Sequence, residues 1–445
     1  MTRRQLLSAV AAAPLAAAQK PNVVLIVADD LGFVDLGCCG DNSIHTPNID
    51  SLARDGVRFT DFVVSWPACT PSRSSILTGR YPQRNGLYDM IRNDEVNWKH
   101  QFTEEDYAVS PEMTLGLDLR EVTLGQLLKS AGYATAAVGK WDSGRARRFL
   151  PTQRGFDFFY GFANTGIDYY THERYGIPSM FRNMERIKES GHATDLFTRE
   201  AVHFIDANRA RPFFLYLPYN APHGASTFDK QAPQVPEEFL ARYKGDRRAQ
   251  YKALITHMDA GIGRILSQLK QHSLDANTLV IFTSDNGGGG KSNGPLRGGK
   301  ATLWEGGLRV PLLARWPGII PAGSTCSQFA STMELFPTLA AVSGAKLPPV
   351  HLDGFNMLPL LQGKPGKHRT GMFFQRRAGK AARIGEYKWI DSPGANGLYH
   401  LPTDPGEQRD LSGSKPELFH QARSRWQAWR AEMDAAEPRG PFRDY

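Results

Sequence analysis

The stretch best equipped for chemistry is Cys69-Thr70-Pro71-Ser72-Arg73, continued by Ser74 to Arg80. Pro71 and Ser72 favour a helix start and Gly79 a helix stop, which puts Cys69 at or just before a helix N-terminus. That end of a helix favours negative charge. Arg73 on the first turn adds to the effect, so the surroundings suit a thiolate or an anionic ligand. Two further sets sit at the ends of apolar runs. Asp29, Asp30, Asp285 and Asn286 are hard oxygen donors, suited to Ca²⁺ or Mg²⁺ and not to a zinc site of Cys and His. Arg73, Lys140, His223 and Lys300 form a cationic set able to neutralise an oxyanion and protonate a leaving group. Taken singly, a strand-end Asp is a solvated cap and a lone Lys or His a surface group. Their repeated position at strand ends and in glycine-rich loops is what points to a site.

The elements that must position these residues are legible as continuous apolar runs, the pattern of strands buried on both faces of a parallel sheet. Pro21 to Asp30 ends in two carboxylates, Tyr133 to Val138 leads to Gly139-Lys140-Trp141, Phe213 to Tyr219 leads to Pro222-His223, and Thr278 to Thr283 leads to Ser284-Asp285-Asn286-Gly287. Ligands in open α/β sheets bind beyond the carboxyl ends of the strands, so these residues can converge. Helices predicted over Thr46–Gly56, Thr123–Ala131, Thr194–Asn208 and 248–272 alternate with the strands. The fold class is therefore α/β, with a large doubly wound and mostly parallel sheet. Val57 to Val64 is a further strand that delivers the chain to Cys69. The glycine-rich run from Gly287 to Gly299 leads to Lys300 but is not a P-loop, because no Ser or Thr follows the lysine and no strand immediately precedes it.

Two long segments, 88–120 and 142–193, lack a sustained period and are expected to shape the rim of a substrate cleft. After Pro348 the composition turns to short segments broken by Gly and Pro. There Gly385–Ile390 and Leu398–Leu401 are expected to pair as antiparallel strands, and Pro416–Ala436 to form a closing helix. The division expected is 19–347 for a catalytic α/β domain and 348–445 for a smaller C-terminal α+β domain.

The chain has 445 residues, 41% hydrophobic and 22% charged, with a formal net charge of +8, an ordinary globular composition. The basic residues are scattered, which argues against nucleic acid and is compatible with a polyanionic substrate. Residues 1–18 read as a twin-arginine signal peptide: Arg3-Arg4, an Ala-rich apolar stretch too short to span a bilayer, and small residues before Gln19. Export to a bacterial periplasm or beyond is expected, with no transmembrane segment. The cysteines Cys38, Cys39, Cys69 and Cys326 do not make a disulfide scaffold. A bridge from Cys38 or Cys39 to Cys326 stays open.

The C-x-P-S-R motif at 69–73, the Asp29-Asp30 strand end, Gly139-Lys140-Trp141, Pro222-His223, Ser284-Asp285-Asn286-Gly287 and the Lys300 segment resemble the type I sulfatases. These are formylglycine-dependent, arylsulfatase-like enzymes of the alkaline phosphatase superfamily. The likeness runs from Val23 to Pro317 and, more weakly, over Gly385–Leu411. It implies that Cys69 is oxidised to Cα-formylglycine by a formylglycine-generating enzyme and that its hydrate is the nucleophile. It further implies that Asp29, Asp30, Asp285, Asn286 and residue 69 hold one divalent cation, usually calcium. Arg73 and Lys140 would hold residue 69 and the sulfate, while His223 and Lys300 contact the ester and assist the leaving group. The implied reaction displaces the alcohol, leaves sulfate on residue 69 and releases it by an elimination that restores the aldehyde. The substrate implied is a sulfated carbohydrate or an aryl sulfate.

One departure stands out. The family usually carries a histidine after Gly-Lys-Trp, commonly assigned to hydrogen-bond the hydrate and take its proton, and this chain has Asp142. Asp142 could serve as the base, paired with Lys140 or the cation, or His172 or His192 from the irregular segment could fill the space. Two other readings share the sequence: a phosphodiesterase or phosphonate hydrolase of the same superfamily, and a sulfated-glycan binder without activity.

Overall fold

The computed structural model describes residues 20–91, 114–229, 231–289 and 293–440, with residues 103, 105 and 109. The signal peptide expected at 1–18 and most of the rim expected at 88–120 lie outside the described residues. The apolar runs form the middle of a ten-stranded sheet. In chain order its strands are β1 (Asn22–Ala28), β2 (Val57–Phe59), β3 (Ala134–Lys140), β4 (Phe158–Phe162), β5 (Met180–Arg182), β6 (Glu185–Arg186), β7 (Phe213–Pro218), β8 (Thr278–Ser284), β9 (Leu312–Arg315) and β10 (Ser324–Cys326). They lie in the order β10-β2-β9-β8-β1-β7-β3-β4-β5-β6. The five central strands β8, β1, β7, β3 and β4 are parallel. Antiparallel strands take over on either side, at β9 and at β5.

Every residue of β1 is buried, because both faces of the sheet are covered and its side chains alternate between two layers. Val23, Leu25 and Val27 join one core, Val24, Ile26 and Ala28 the other. Among the described residues seven longer helices pack on the sheets: α1 (Pro47–Arg54), α2 (Cys69–Thr78), α3 (Leu124–Ser130), α4 (Ala193–Asn208), α5 (Ala249–Gln271), α6 (Leu335–Ser343) and α7 (Pro416–Ala435). The layer with Val23 takes apolar residues from α2, α3 and α6, and the opposite layer from α1, α4 and α5. The start of α3 follows from its sequence: Thr123 and Gln126 form a reciprocal capping box.

The C-terminal region forms a four-stranded antiparallel sheet, β11 (Gly371–Arg376), β12 (Gly379–Ile384), β13 (Tyr387–Ser392) and β14 (Ala395–His400). The expected pairing exists between β13 and β14, but Gly385 lies in the turn before β13 and not in a strand. α7 closes this sheet, with Trp426 Nε1 donating to Phe374 O at 2.9 Å and Trp429 stacked on Phe373. Tyr81 packs edge-on against Trp429 with ring centroids 5.2 Å apart, tying the small sheet to the segment just after α2.

The irregular segment 142–193 contains more sheet than expected. β4, β5 and β6 come from it, together with a two-stranded ribbon, Glu173–Arg174 and Ile177–Pro178. Strands of two to five residues are too short for a hydrophobic period to register. All four cysteines are free thiols. Cys38 and Cys39 pack against the core that contains Val24, Cys326 against the core on the other face of the sheet, so the bridge between them does not form. Among the described residues no helix is long and apolar enough to cross a membrane.

Candidate active site

Strand register assembles the acidic half of the site. Ala28 is paired with Ser284 across β1 and β8, so the next residues, Asp29 and Asp285, leave the sheet side by side. Asp285 N donates to Ala28 O at 3.1 Å, and Asp30 N donates to Asp285 Oδ1 at 3.2 Å. Asn286 Nδ2 donates to Asp30 Oδ1 at 2.7 Å and to Gly287 O at 2.9 Å. All four side chains are buried. Asn286 Oδ1 is buried without a hydrogen-bond partner among the described residues. An orphaned amide oxygen beside three buried carboxylates is a donor set that fits a hard divalent cation.

The second half is Cys69. It is the first residue of α2, whose ten residues are all buried, and Gly79 ends the helix in the left-handed region, as the sequence predicts. Cys69 Sγ lies 3.4 Å from Asp29 Oδ1. Burial pushes the thiol well up, and Asp29 adds to the shift. An unmodified thiol here stays protonated and is a weak nucleophile, despite the helix N-terminus and Arg73.

The cations interleave with the carboxylates. Arg73 Nε and Nη2 both lie 2.7 Å from Asp285 Oδ2, and its Nη1 donates to Lys140 O at 3.2 Å. Lys140 Nζ is 2.7 Å from Asp29 Oδ2, and Lys300 Nζ is 2.8 Å from Asp30 Oδ2. Burial disfavours the charge on both lysines, but Asp29 for Lys140 and Asp30 for Lys300 outweigh it and hold them cationic. Burial likewise works against an ionised Asp30, yet Lys300 and His223 pull it well below the usual carboxylate range. For Asp285 burial prevails over Arg73 and the carboxyl is pushed up.

His223 Nε2 stands 3.8 Å from Asp30 Oδ2, and its Nδ1 lies 2.5 Å from Gly224 O. A carbonyl only accepts, so Nδ1 carries the hydrogen and Nε2 is left to exchange a proton with a ligand. Desolvation and the neighbouring Lys300 push the imidazole down to about 3.

Glycines let these segments meet. Gly139, just before Lys140, has φ 122°, and a Cβ there would lie 2.0 Å from Pro218 O on β7. A Cβ on Gly287 would lie 1.9 Å from Gly306 O. Close backbone approach therefore brings the Lys300 loop onto the end of β8, where Gly287 N donates to Gly307 O and Lys300 N to Gly288 O, each at 3.1 Å.

Asp142 follows β3 with φ 49° and is buried. Thr70 Oγ1 donates to its Oδ1 at 2.8 Å, while its Oδ2 is 3.7 Å from Lys140 Nζ. Burial, only partly offset by Lys140, pushes its carboxyl up to about 7. His172 and His192 do not take this place. Their Nε2 atoms are bonded to Gly191 O at 3.0 Å and Gln234 O at 3.1 Å, within the loop and helix layer they belong to.

Sequence reasoning missed the support behind Lys300. Lys388 on β13 is buried with Nζ 3.0 Å from Glu305 Oε1 and 2.8 Å from Glu407 Oε1, and Glu407 Oε2 accepts from Glu305 N at 2.6 Å. The small sheet thereby clamps the segment 300–309 through a buried ion cluster. Composition gives no sign of it, because the partners come from three separate segments.

A parallel sheet whose strand ends gather buried carboxylates and cations around a helix-terminal cysteine makes a hydrolytic site suited to an anionic ester. The chain belongs to the sulfatase family, whose profile matches residues 21–345. It is 35% identical to human arylsulfatase A over 98% of this chain and 93% of that protein. It is 34% identical to mouse N-acetylgalactosamine-6-sulfatase over 91% of this chain and 85% of that protein. The solved structure of Ps i-CgsB in complex with k-i-k-neocarrahexaose superposes with a TM-score of 0.81 at 34% identity, covering 92% of this chain and 93% of that one.

Proposed function

We propose that this sulfatase is a formylglycine- and calcium-dependent enzyme acting on a sulfated saccharide. The observation that carries the reading is the 3.4 Å approach of Cys69 Sγ to Asp29 Oδ1 inside a cage of buried charges that leaves Asn286 Oδ1 without a partner. Asp29, Asp30, Asp285 and Asn286, with residue 69, would hold the cation, and Ca²⁺ suits their oxygen donors. When bound, the cation neutralises sulfate oxygens and the carboxylates around it. Oxidation of Cys69 by a formylglycine-generating enzyme supplies a hydrate hydroxyl as nucleophile, chemistry that the buried thiol does not offer.

The chain's own residues do the rest. Arg73 is held against Asp285 and fixes the floor of the site. Lys140, beside Asp29, orients residue 69 and the sulfate. Lys300 offers its ammonium to the sulfate oxygens and to the bridging oxygen. His223 is neutral before substrate arrives. An anionic ester entering beside Lys300 makes a proton on Nε2 less costly, so His223 can pass that proton to the departing alcohol. Asp142, tied to Thr70 next to residue 69, is the base that replaces the family's histidine.

A saccharide substrate is favoured by the likeness to an N-acetylgalactosamine-6-sulfatase and to a neighbour solved with a carrahexaose. Residues 1–18 would export the protein by the twin-arginine route to the periplasm or beyond. We read 19–347 as the catalytic domain and 348–445 as a supporting domain. Mass spectrometry of the residue-69 peptide, from protein made alongside the maturing enzyme, tests the proposal. A mass loss matching exchange of CH₂SH for CHO is expected. An unmodified cysteine in protein that still cleaves sulfate esters would overturn it.

A further inference from the structure

The cleft above Cys69, His223 and Lys300 is lined by further cationic side chains. Arg174, Arg376 and Arg377 line it, together with Trp66, Tyr175 and Asp89. The arginines come from two hairpins distant in sequence: Arg174 from the ribbon strand Glu173–Arg174, Arg376 from the end of β11 and Arg377 from the turn to β12. Each tip holds a bulky residue in the left-handed region, Tyr175 with φ 48° and Arg377 with φ 52°.

The aromatic floor matches this charge. Trp66 is 1% exposed, lines the cleft beneath Arg376, whose Cζ is 5.7 Å from its ring centre, and has no partner for its indole N–H among the described residues. On the rim Arg377 Nε is 3.1 Å from an oxygen of Asp89, so a carboxylate of the protein already occupies one face of the guanidinium. Carboxylates and tetrahedral oxyanions, each offering two oxygens, are what that fork recognises best.

We infer that Arg174, Arg376 and Arg377 form a second anion subsite beyond the scissile sulfate, and that the substrate is a saccharide carrying at least two anionic oxygen groups. The second group is a sulfate or a carboxylate on the same or the adjoining sugar, held beside the half-buried Tyr175. This rests on the sulfatase reading for the first group only. The subsite lies where the two hairpins meet and needs no oxidation of Cys69.

Equilibrium binding to a Cys69→Ala protein, which cannot turn substrate over, tests the subsite separately from catalysis. Three oligosaccharides of one backbone serve as probes: one O-sulfate, two O-sulfates, and one O-sulfate with one uronate. The doubly charged probes should bind at least tenfold tighter than the singly sulfated one, with a steeper loss of affinity as salt rises. Whichever of the two binds tighter identifies the second group. Arg377 is 48% exposed at its side chain, so Arg377→Ala can be made without disturbing the core. It should erase most of the difference between probes, and Arg377→Lys should restore part of it. Equal affinity for all three probes, or a difference that survives Arg377→Ala, would overturn the inference. Failure of wild type to release sulfate from any probe would instead strike the sulfatase reading and leave these binding outcomes decisive.

Discussion

Thr70 Oγ1 donates a 2.8 Å hydrogen bond to Asp142 Oδ1, so the residue beside Cys69 in the helix is tied to the carboxyl that follows β3. The bond fixes one oxygen of Asp142. The other is buried, without a hydrogen-bond partner among the described residues, 3.7 Å from Lys140 Nζ. A buried carboxyl in that position can take a proton only if its ionised form survives burial, and Lys140 is the charge that permits it.

As the proposed base, Asp142 should set the acidic limb of activity. Its carboxyl is pushed up to about 7, so it is largely protonated below that pH and ionised above it. A base works only when ionised, and kcat should fall as the pH drops through about 7. Asp142→Asn should lose that limb together with roughly 10²–10⁴-fold in kcat, the usual contribution of a positioned base. Stability runs the other way. Folding raises this group's pKa, so its contribution is present at low pH and lost as the pH rises through about 7. Thermal melts in alkaline buffer should show Asp142→Asn more stable than wild type, and a pH–rate profile unchanged by the substitution would refute the role.

Divalent cations should stabilise the folded protein itself, whatever the state of residue 69. Binding to the native state alone contributes about 2.7 kcal/mol at a hundredfold excess over Kd. A chelator should lower Tm, calcium should restore it, and Asn286→Ala should shift the restoring concentration upward. Melting that ignores the chelator would mean that Lys140, Arg73 and Lys300 already satisfy the carboxylates.

If His223 protonates the leaving group as proposed, the effect of its loss should depend on the alcohol. His223→Asn should cut kcat/KM most for alkyl and sugar sulfates and least for nitrophenyl sulfate, whose leaving oxygen needs little protonation. A uniform loss across leaving groups, read from initial rates, would assign the residue to binding.

Lys388→Met removes the cation from Glu407 and leaves Glu305 with Arg309, whose Nη2 is 2.7 Å from Glu305 Oε2. Breaking a buried pair from one side costs about 3–5 kcal/mol. Denaturant unfolding should show a loss of that order, and in the folded variant Lys300 should be less well fixed, raising KM for sulfate esters. A loss below about 1 kcal/mol, the range of exposed pairs, would show that the cluster does not clamp the loop.

Much of this site is written locally. The apolar runs that become β1, β3, β7 and β8, the polar residues at their ends, and the proline, serine and glycine that bound α2 are short-range signals. Each acts through burial, capping or backbone freedom within a few residues. They suffice for β1, β2, β3, β7 and β8 of the ten-stranded sheet, for the N-terminal position of Cys69 and for nominating Asp29, Asp30, Arg73, Lys140, His223, Asp285, Asn286 and Lys300 as candidates. The short strands of 142–193 were missed because two to five residues carry no usable period.

Chain order could not decide which of those strand ends are neighbours. The pairing of Ala28 with Ser284 puts Asp29 beside Asp285 across 255 intervening positions, and that register exists only once both faces of the sheet are packed. The same holds for Asp142 over His172 and His192, for the Lys388 clamp and for the arginine rim. Each depends on side chains from separate segments sharing one buried volume, where desolvation makes a partner obligatory. Sequence supplied the groups and the ends they occupy, and packing chose their partners and thereby their charges.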